Sequence, residues 1–400
     1  MQPFDFQPRT RFVFGAGVID KLGELALSLG GPFIGGPFIG GPNAGRRVLI
    51  VSDPGVVAAG HFESGAAKLR QAGLEVASFH QFGENPTTEM VDRGVEAARE
   101  FRPDLLVGLG GGSSLDCCKG INFVYSCGGS MHDYHGVGKA TGDLLPMIAV
   151  PTTSGTGSES QSFALISDAK THVKMACGDP RAACKVALLD PTLTVTMPPR
   201  VTALTGIDAL SHAIESYVTT RRNPLSLTFA RRAFGLLASG FPKVLDDPSD
   251  IEARGEMQVG ACLAGLAIEN SMLGAAHATA NPLTAHHDVP HGQAVGVMLP
   301  AVIRLNGTRH ASMYAELLAE LHQAPDVATA PDVATAPERL AAMVESLARR
   351  ANLATSLTQL QIPAADVETL AADAMKQWTG TFNPVPLDLE KVRSLYRATF

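Results

Sequence analysis

Five short apolar segments in the first half of the chain constrain its fold more than any other feature. Each is rich in Val, Leu and Ile, and the segments between them carry apolar residues at helical spacing. Strands that alternate with helices build a parallel sheet from β-α-β units. The sequence therefore predicts an α/β domain. The predicted strands are Val48–Asp53, Leu74–Phe79, Asp104–Gly110, Met147–Thr153 and Val186–Asp190.

The pattern changes after the Pro198-Pro199 pair, beyond which apolar residues recur at helical spacing and β-branched runs are few. Because a domain takes roughly 100–200 residues, the 400-residue chain has room for two. We expect an α/β domain over residues 1–195 and a helical domain over residues 196–400. The predicted helical segments are Val201–Thr219, Leu225–Ser239, Ile251–Asn270 and Pro337–Ala351.

Charge and hydropathy exclude several classes of protein. The chain has 32 Lys and Arg residues against 39 Asp and Glu residues, which gives a net charge of −7. It has no basic run that would neutralise a phosphate backbone. Nucleic acid is therefore not an expected partner. No apolar stretch approaches the roughly 20 residues of a membrane span, and residues 1–10 lack the features of a signal peptide. We expect a cytoplasmic protein, monomeric or homo-oligomeric, with reduced cysteines and a small-molecule substrate.

Two short duplications interrupt the chain. Residues 30–34 are repeated at 35–39, and residues 324–329 are repeated at 330–335. Their spacing is far shorter than the roughly 20–50 residues of a solenoid repeat, and Gly and Pro disfavour helix and sheet interiors. Both duplications are expected to be loop insertions.

A glycine loop follows the third predicted strand. Asp104–Gly110 runs directly into Gly111 and Gly112, and Ser113 stands at a helix N-cap position. Glycines let the backbone approach a pyrophosphate, while the free N–H groups and the positive end of the helix favour an anion. A tight turn that binds nothing is the alternative. The usual G-x-G-x-x-G fingerprint is absent, so a cofactor fold here is a variant of the ordinary one.

Two further polar groups stand at the ends of predicted strands. Asp53 ends the first strand, where a carboxylate accepts a hydrogen bond from a ribose 2′-OH and repels a 2′-phosphate. The alternative is an Asp that only opens the turn at Pro54. Residues 151–159 are rich in Thr, Ser and Gly and follow the fourth strand. Open α/β sheets bind ligands at these carboxyl ends, although a solvated turn is the alternative here too.

A carboxylate and three histidines form a candidate metal site. Asp208 and His212 are one helical turn apart and therefore share a face of their helix. His277 and His291 would complete a set of four ligands. Such donors suit Fe(II), Zn, Mn or Ni, and their types do not choose among these metals. For each histidine, an ordinary hydrogen-bonded role is the alternative.

The order of these motifs resembles that of the iron-containing (group III) alcohol dehydrogenases. The similarity extends from Phe14 to about Arg304. The resemblance implies a Rossmann-like N-terminal domain that binds NAD(P) and a C-terminal helical domain that binds the metal, the dehydroquinate synthase-like fold. It assigns the metal and catalytic roles to Asp208, His212, His277 and His291. The shared motifs are GGGS, PTTSGTGSE, GIDALSHAIE, HATANPL and PHG.

The resemblance also implies two cofactors. These are Fe(II), with Zn or another divalent metal as the alternative, and NAD in preference to NADP because of Asp53. Hydride would pass between the carbon of an alcohol or carbonyl compound and the nicotinamide, while the metal polarises the substrate oxygen. The predicted cofactor-binding residues, in the two loops and beyond them, are Asp53, Asn85, Gly111, Gly112, Ser113, Asp116, Thr152, Thr153, Thr156 and Lys174.

One departure from the family bears on the substrate. Many members carry a further histidine four residues after the third metal ligand, where this chain has Asn281. An amide does not act as a base near neutral pH. The Ala-Asn-Pro-Leu-Thr variant is similar to the branch that includes hydroxyacid-oxoacid transhydrogenases, so a hydroxy acid or semialdehyde stands beside a simple alcohol as the expected substrate.

Two alternatives come from other classes of protein. A dehydroquinate synthase-like lyase needs several Lys and Arg residues around its substrate, but residues 204–220 and 270–292 contain none. A non-catalytic NAD-binding protein would lose the metal ligands, and all four are present. The sequence therefore favours the dehydrogenase.

Overall fold

The computed structural model describes residues 4–29, 47–171, 173–322 and 332–400. The first duplication and most of the second, up to residue 331, lie outside these ranges. The chain divides into two compact units. An α/β unit comprises Gln7–Thr153 and Ser158–Thr196, and a helical unit comprises Met197–Phe400, the short segment Ser154–Gly157 and the N-terminal residues up to Phe6.

Parallel strands form the centre of the α/β unit. The strands of this unit are β1 (Arg11–Phe14), β2 (Arg47–Val51), β3 (Glu75–Phe79), β4 (Leu105–Gly110), β5 (Gly136–Val137), β6 (Met147–Pro151), β7 (Phe163–Ser167), β8 (Lys174–Gly178) and β9 (Val186–Leu189). Six of them pair in the order β1-β9-β6-β4-β2-β3, and every neighbouring pair is parallel. The sheet confirms the predicted α/β fold.

A smaller sheet in the same unit was not predicted. It has the order β5-β8-β7, in which β7 and β8 are antiparallel. The edge strand β1 was not predicted either. The five predicted strands correspond to β2, β3, β4, β6 and β9.

In its described residues the α/β unit has five α-helices, which supply much of the buried core. They are α1 (Leu22–Leu29), α2 (Pro54–Ala58), α3 (His61–Gln71), α4 (Thr88–Phe101) and α5 (Gly112–Cys127). All six residues of β4 are buried, as expected for a central strand of a sheet with both faces covered. Side chains such as Ile50, Val107 and Leu188 form one core cluster with leucines of α1 and α3.

The helical unit contains eight α-helices in its described residues. They are α6 (Pro199–Val218), α7 (Pro224–Asp246), α8 (Ile251–Glu269), α9 (Ala275–His287), α10 (His291–Ala319), α11 (Ala336–Arg350), α12 (Val367–Ala374) and α13 (Leu389–Arg397). Their core includes Leu210, Phe234 and Met298. This all-helical unit confirms the second predicted domain type. Within the described ranges, none of the helices has the length and apolar character of a bilayer span.

Candidate active site

Helix α6 lies in the core of the helical unit and carries two of the predicted metal ligands. Pro199 occupies its first turn, where the missing N–H costs no hydrogen bond. Every residue from Gly206 to Val218 is buried, so Asp208 and His212 project from a helix that is covered on all sides. Burial opposes the charge of Asp208, but the neighbouring histidines outweigh it and hold the pKa of this carboxyl well below its usual range.

Three imidazole nitrogens surround one carboxylate oxygen. The Nε2 atom of His212 lies 3.5 Å from Asp208 Oδ1, and the Nε2 atoms of His277 and His291 each lie 3.7 Å from it. His277 comes from α9, and His291 is the first residue of α10. Candidate ligand atoms of Asp208, His277 and His291 all lie within 4.8 Å of one another. Three helices thus bring the four predicted residues together.

Two atoms at the centre of this group show that it fits a metal ion. Asp208 Oδ1 and His277 Nε2 are buried and have no hydrogen-bond partner in the part of the chain that the structure describes. An unsatisfied buried polar atom is costly, by roughly 1–3 kcal/mol. Two ligands about 2.1 Å from a tetrahedral ion lie about 3.4 Å apart, which is close to the observed separations. A divalent cation would satisfy both atoms.

The protonation of the histidines depends on the same neighbours. Burial lowers the pKa of His277, but the carboxylates of Asp208 and Glu215 outweigh it and raise this pKa to about 9. Burial also lowers the pKa of His212, and there it outweighs the carboxylate of Asp208. A proton and a metal ion compete for the same imidazole nitrogen.

Sequence reasoning missed two polar residues beside α9. Glu215 contacts the His277 ring, with 2.5 Å between Oε2 and Nδ1. Its spacing from Asp208, two helical turns along α6, was a signal that could have found it. Gln377 accepts a hydrogen bond from Asn281 Nδ2 at 2.9 Å, and no local pattern links these two residues. Asn281 stands one turn after His277 on α9.

In the α/β unit, the glycine loop joins β4 to α5 as predicted, but Ser113 lies in the first turn of α5 rather than at the predicted N-cap position. Gly110 has φ +147°, and a Cβ atom there would lie 2.3 Å from Ser114 Oγ, so only glycine fits. Gly111 is the N-cap residue of α5 and makes no capping bond through a side chain. The first amides of a 16-residue helix are therefore available to bind an anion.

Asp53 has a structural role beside the glycine loop. Its Oδ1 accepts hydrogen bonds from the Gly55 and Val56 amides, at 2.9 and 3.1 Å, and caps α2. Its Oδ2 accepts one from Ser114 Oγ at 2.9 Å. The turn-opening alternative is thus present in the structure. The carboxylate also stands at the carboxyl end of β2, where a ribose is expected.

A chain of hydrogen bonds links three more predicted cofactor residues. The Asn85 amide donates to Ser113 Oγ at 3.3 Å, and Lys174 Nζ donates to Asn85 Oδ1 at 3.3 Å. Asn85 has a left-handed backbone, with φ +49°, which Asn tolerates better than most residues. One cationic group and two polar groups therefore lie near the N-terminus of α5.

The threonines after β6 border the same loop. The Thr152 amide donates to the Gly110 carbonyl at 3.1 Å. A Cβ atom at Gly111 would lie 3.1 Å from the Thr153 side chain, so the loop and Thr153 are in close contact. The structure thus places Thr152 and Thr153 beside the predicted phosphate-binding backbone.

The remaining two predicted cofactor residues have other surroundings. Asp116 is buried in α5 and accepts a hydrogen bond from Ser158 Oγ at 2.6 Å. Burial raises the pKa of its carboxyl group despite the nearby Lys119. Thr156 belongs to the Ser154–Gly157 segment, which packs with the helical unit. Cofactor contacts by either residue stay a prediction.

The α/β unit carries a glycine loop suited to a dinucleotide, and the helical unit carries a group of side chains suited to a metal ion. An oxidoreductase that uses both cofactors needs this combination. The sequence matches the family "Iron-containing alcohol dehydrogenase" over residues 40–191 and "Fe-containing alcohol dehydrogenase family, C-terminal" over residues 202–400. The chain belongs to the iron-containing alcohol dehydrogenase family. It is therefore an oxidoreductase of a metal- and NAD-dependent family, as the motifs indicated.

Individual relatives resemble the chain along nearly its whole length. The 1,3-propanediol dehydrogenase of Klebsiella pneumoniae is 32% identical over 400 residues, which cover 99% of each chain. The NAD-dependent methanol dehydrogenase of Bacillus methanolicus is 32% identical over 93% of each chain. A crystal structure of 1,3-propanediol oxidoreductase is similar in fold, with a TM-score of 0.92, 30% identity and complete coverage of both chains.

Proposed function

We propose that the protein is an NAD-linked, divalent-metal-dependent alcohol dehydrogenase that also reduces aldehydes. The observation that carries the proposal is the group of Asp208, His277 and His291, whose candidate ligand atoms lie within 4.8 Å of one another, with His212 beside it. Its two buried central atoms, Asp208 Oδ1 and His277 Nε2, have no hydrogen-bond partner in the described structure. Residues 1–195 would bind the dinucleotide, and residues 196–400 would bind the metal. Hydride would pass between the substrate carbon and C4 of the nicotinamide.

The side chains of the site would hold the metal through one carboxylate oxygen and up to three imidazole nitrogens. When bound, a divalent metal supplies Lewis acidity at the oxygen of an alcohol or carbonyl group. We propose Fe(II) as the native ion, in keeping with the family, although carboxylate and imidazole donors suit Zn equally well. Asp208 contributes the negative charge, and His212 is the proposed fourth ligand.

The α/β unit would select NAD through Asp53. Its carboxylate caps α2 and stays fixed by Ser114, so a negative charge stands where a 2′-phosphate would approach. The relative from Bacillus methanolicus is named as NAD-dependent, which supports the same choice. The N-terminal amides of α5 would bind the pyrophosphate, and Lys174 would add a positive charge.

A hydroxy acid or semialdehyde is the second candidate substrate. Asn281 favours it, because an amide stands where many family members carry a histidine. In this structure the Asn281 amide donates to Gln377, which leaves its own carbonyl oxygen as a hydrogen-bond acceptor. Such an acceptor can bind the hydroxyl group of a hydroxy acid but not its carboxylate, so the sequence variant, and not this contact, carries the second candidate.

Reconstitution with single metals tests the proposal. The stripped protein would be reloaded with Fe(II), Zn, Mn or Ni in turn and assayed with alcohols, aldehydes and hydroxy acids by NADH absorbance. We expect metal-dependent turnover of at least one alcohol. Absence of turnover with every metal and substrate would contradict the dehydrogenase, and a higher kcat/KM for hydroxy acids would favour the second candidate.

His277→Ala tests the metal site itself. We expect bound metal and turnover to fall at least about tenfold, because one ligand is lost, while the circular dichroism spectrum is unchanged. His286→Ala is the matched control: His286 lies on the same helix but contacts Asp373, at 2.6 Å. Full metal content in the His277 variant would refute the assignment.

A further inference from the structure

Glu215 is a buried carboxylate on the face of α6 that also carries Asp208 and His212. Its exposed fraction is 2%, and such groups are rarely buried without specific partners. Asp208, His212 and Glu215 follow one another at intervals of four and three residues, so their side chains project from the same side of the helix. The candidate metal site therefore continues along α6 by one further turn.

The partners of Glu215 all lie at the start of α9. Its Oε2 atom is 2.5 Å from Nδ1 of the His277 ring and 3.4 Å from the His277 amide. Its Oε1 atom accepts a hydrogen bond from the Ala276 amide at 2.7 Å. One carboxylate thus holds both the backbone and the ring of a predicted metal ligand.

Gly274 makes this close approach possible. It is the N-cap residue of α9 and makes no capping bond of its own through a side chain. A Cβ atom at this position would lie 3.0 Å from Glu215 Oε1, which is tighter than ordinary packing. The glycine therefore leaves the first amides of α9 open to a carboxylate from another helix.

We propose that Glu215 is a positioning residue that fixes the orientation and tautomer of His277. A carboxylate accepts hydrogen bonds, so the imidazole proton must reside on Nδ1. The lone pair of Nε2 then points toward Asp208 and is available to a metal. Carboxylate partners of this kind orient metal-binding histidines and increase their basicity. The inference rests on the proposed metal site.

A purely structural role is the competing explanation, since Glu215 also caps α9. Asn383 provides the means to separate the two. Its Oδ1 atom accepts hydrogen bonds from the Ala275 amide at 3.3 Å and from Asn306 Nδ2 at 3.0 Å, so it supports the same helix end, together with a buried polar pair, without a bond to the His277 ring. Asn383→Ala would weaken the cap, whereas Glu215→Gln would disturb both the cap and the ring.

Glutamine is an informative replacement because it has nearly the same shape as glutamate. It has only one acceptor oxygen, and its amide group would face a donor, either His277 Nδ1–H or the Ala276 amide. Glu215→Asp keeps both acceptor oxygens but is shorter by one methylene. We therefore expect the Asp variant to retain part of the function that the Gln variant loses.

The experiment measures metal affinity rather than turnover. Metal-stripped wild type, Glu215→Gln, Glu215→Asp and Asn383→Ala would be titrated with Zn²⁺ against a chromophoric chelator, and the visible spectra of the Co²⁺ forms would be recorded. We expect Kd for Zn²⁺ to rise about 10–100-fold in the Gln variant, with a changed Co²⁺ spectrum. The Kd of the Asp variant should lie between those of the wild type and the Gln variant, and the Kd of Asn383→Ala should stay within about threefold of the wild-type value.

The outcomes distinguish the inference from the proposed function. Wild-type affinity and spectrum in Glu215→Gln, or an equal loss in Asn383→Ala, would overturn the positioning role while leaving the metal site intact. Failure of the wild type to bind Zn²⁺ or Co²⁺ would overturn both proposals. Melting temperatures of the metal-free forms identify a variant that does not fold, in which case the Glu215→Asp variant decides by the same criteria.

Discussion

Asp53 shows how one side chain serves two purposes. It caps α2 through Oδ1 and binds Ser114 of α5 through Oδ2, so it ties two helices to the end of β2. Those bonds also hold its charge in one place. The local turn alternative and the ribose-binding hypothesis are therefore compatible, since a carboxylate has about four lone-pair sites and the structure fills three of them.

Asp53→Asn should shift cofactor preference toward NADP. The amide oxygen keeps the cap of α2 while the charge that repels a 2′-phosphate is removed, so the ratio of kcat/KM for NADP to that for NAD should rise roughly 5–150-fold, equivalent to about 1–3 kcal/mol. Steady-state kinetics with both cofactors measure it. A wild type that prefers NADP would contradict the charge argument.

Asn281→His should introduce a new ionisation into the pH dependence of kcat/KM. Asn281 stands one turn from His277, and its amide does not titrate near neutrality, so the wild-type profile should lack a step that the variant shows near pH 6.5. Gln377→Ala is the control, because it removes the partner of Asn281 without adding a titratable group. Identical profiles for all three proteins would mean that position 281 only packs α9.

At the scale of secondary-structure elements, the burial of a strand influenced whether it could be predicted from the sequence. The strands β4 and β6 are buried at every position, so their apolar runs were unmistakable. By contrast, β1 is mostly exposed, and β7 alternates between buried and half-buried positions, so their short apolar runs do not mark fully buried strands. The hairpin of β7 and β8 depends on pairing across a turn, which composition does not encode.

Some features of the candidate site could be predicted from local sequence, and others could not. The Asp208 and His212 pair follows from helix periodicity, and the glycine loop follows from its position after a strand. Contacts such as Glu215 with His277 join separate helices, 62 residues apart in the chain. Spacing within one element cannot specify such a contact, because it arises only when α6 and α9 pack together.

The loop between β4 and α5 should not tolerate a side chain at Gly110. Gly110→Ala would place Cβ 2.3 Å from Ser114 Oγ and 3.0 Å from Asp53 Oδ2, so we expect Kd for NADH to rise at least about tenfold and the melting temperature to fall. Fluorescence titration and calorimetry measure these effects. The physical reason is both the steric conflict and the positive φ.

Gly128 at the other end of α5 provides the matched control. It also has a positive φ, +80°, but no described heavy atom lies within 4 Å of a Cβ built there. Gly128→Ala should therefore cost only backbone strain, about 1–3 kcal/mol, and leave NADH affinity unchanged. Equal NADH affinity in the two variants would show that the loop does not contact the cofactor.

For the whole molecule, the buried carboxyl group of Glu159 is one source of pH-dependent stability. Burial raises the pKa of Glu159 from 4.5 to about 7, although Lys119 opposes the shift. Between these pH values the unfolded chain releases a proton that the folded protein keeps. The stabilising contribution is therefore complete below about pH 4.5 and is lost as the pH rises through 7.

Glu159→Gln should remove this pH dependence. Relative to wild type, the variant should gain stability as the pH rises from 5 to 8, approaching about 3 kcal/mol above pH 7, because glutamine carries no charge to bury. Melting temperatures across this range measure the gain. Glu63→Gln is the control, since Glu63 is an exposed partner of Arg70 and its loss should change little at any pH. A constant difference between wild type and the Glu159 variant would exclude ionisation of Glu159 as the cause.

The order of strands also fixes when this molecule can fold during its synthesis. Among the described strands of the large sheet, β1 pairs with β9 alone, with Arg11 opposite Val186, so β1 must wait until about 175 more residues have been synthesised. At roughly 5–20 residues per second, that wait lasts about 10–35 seconds. Throughout it, Phe12 and Phe14 lack their native partner strand, and the backbone of β1 is available for pairing with another nascent chain.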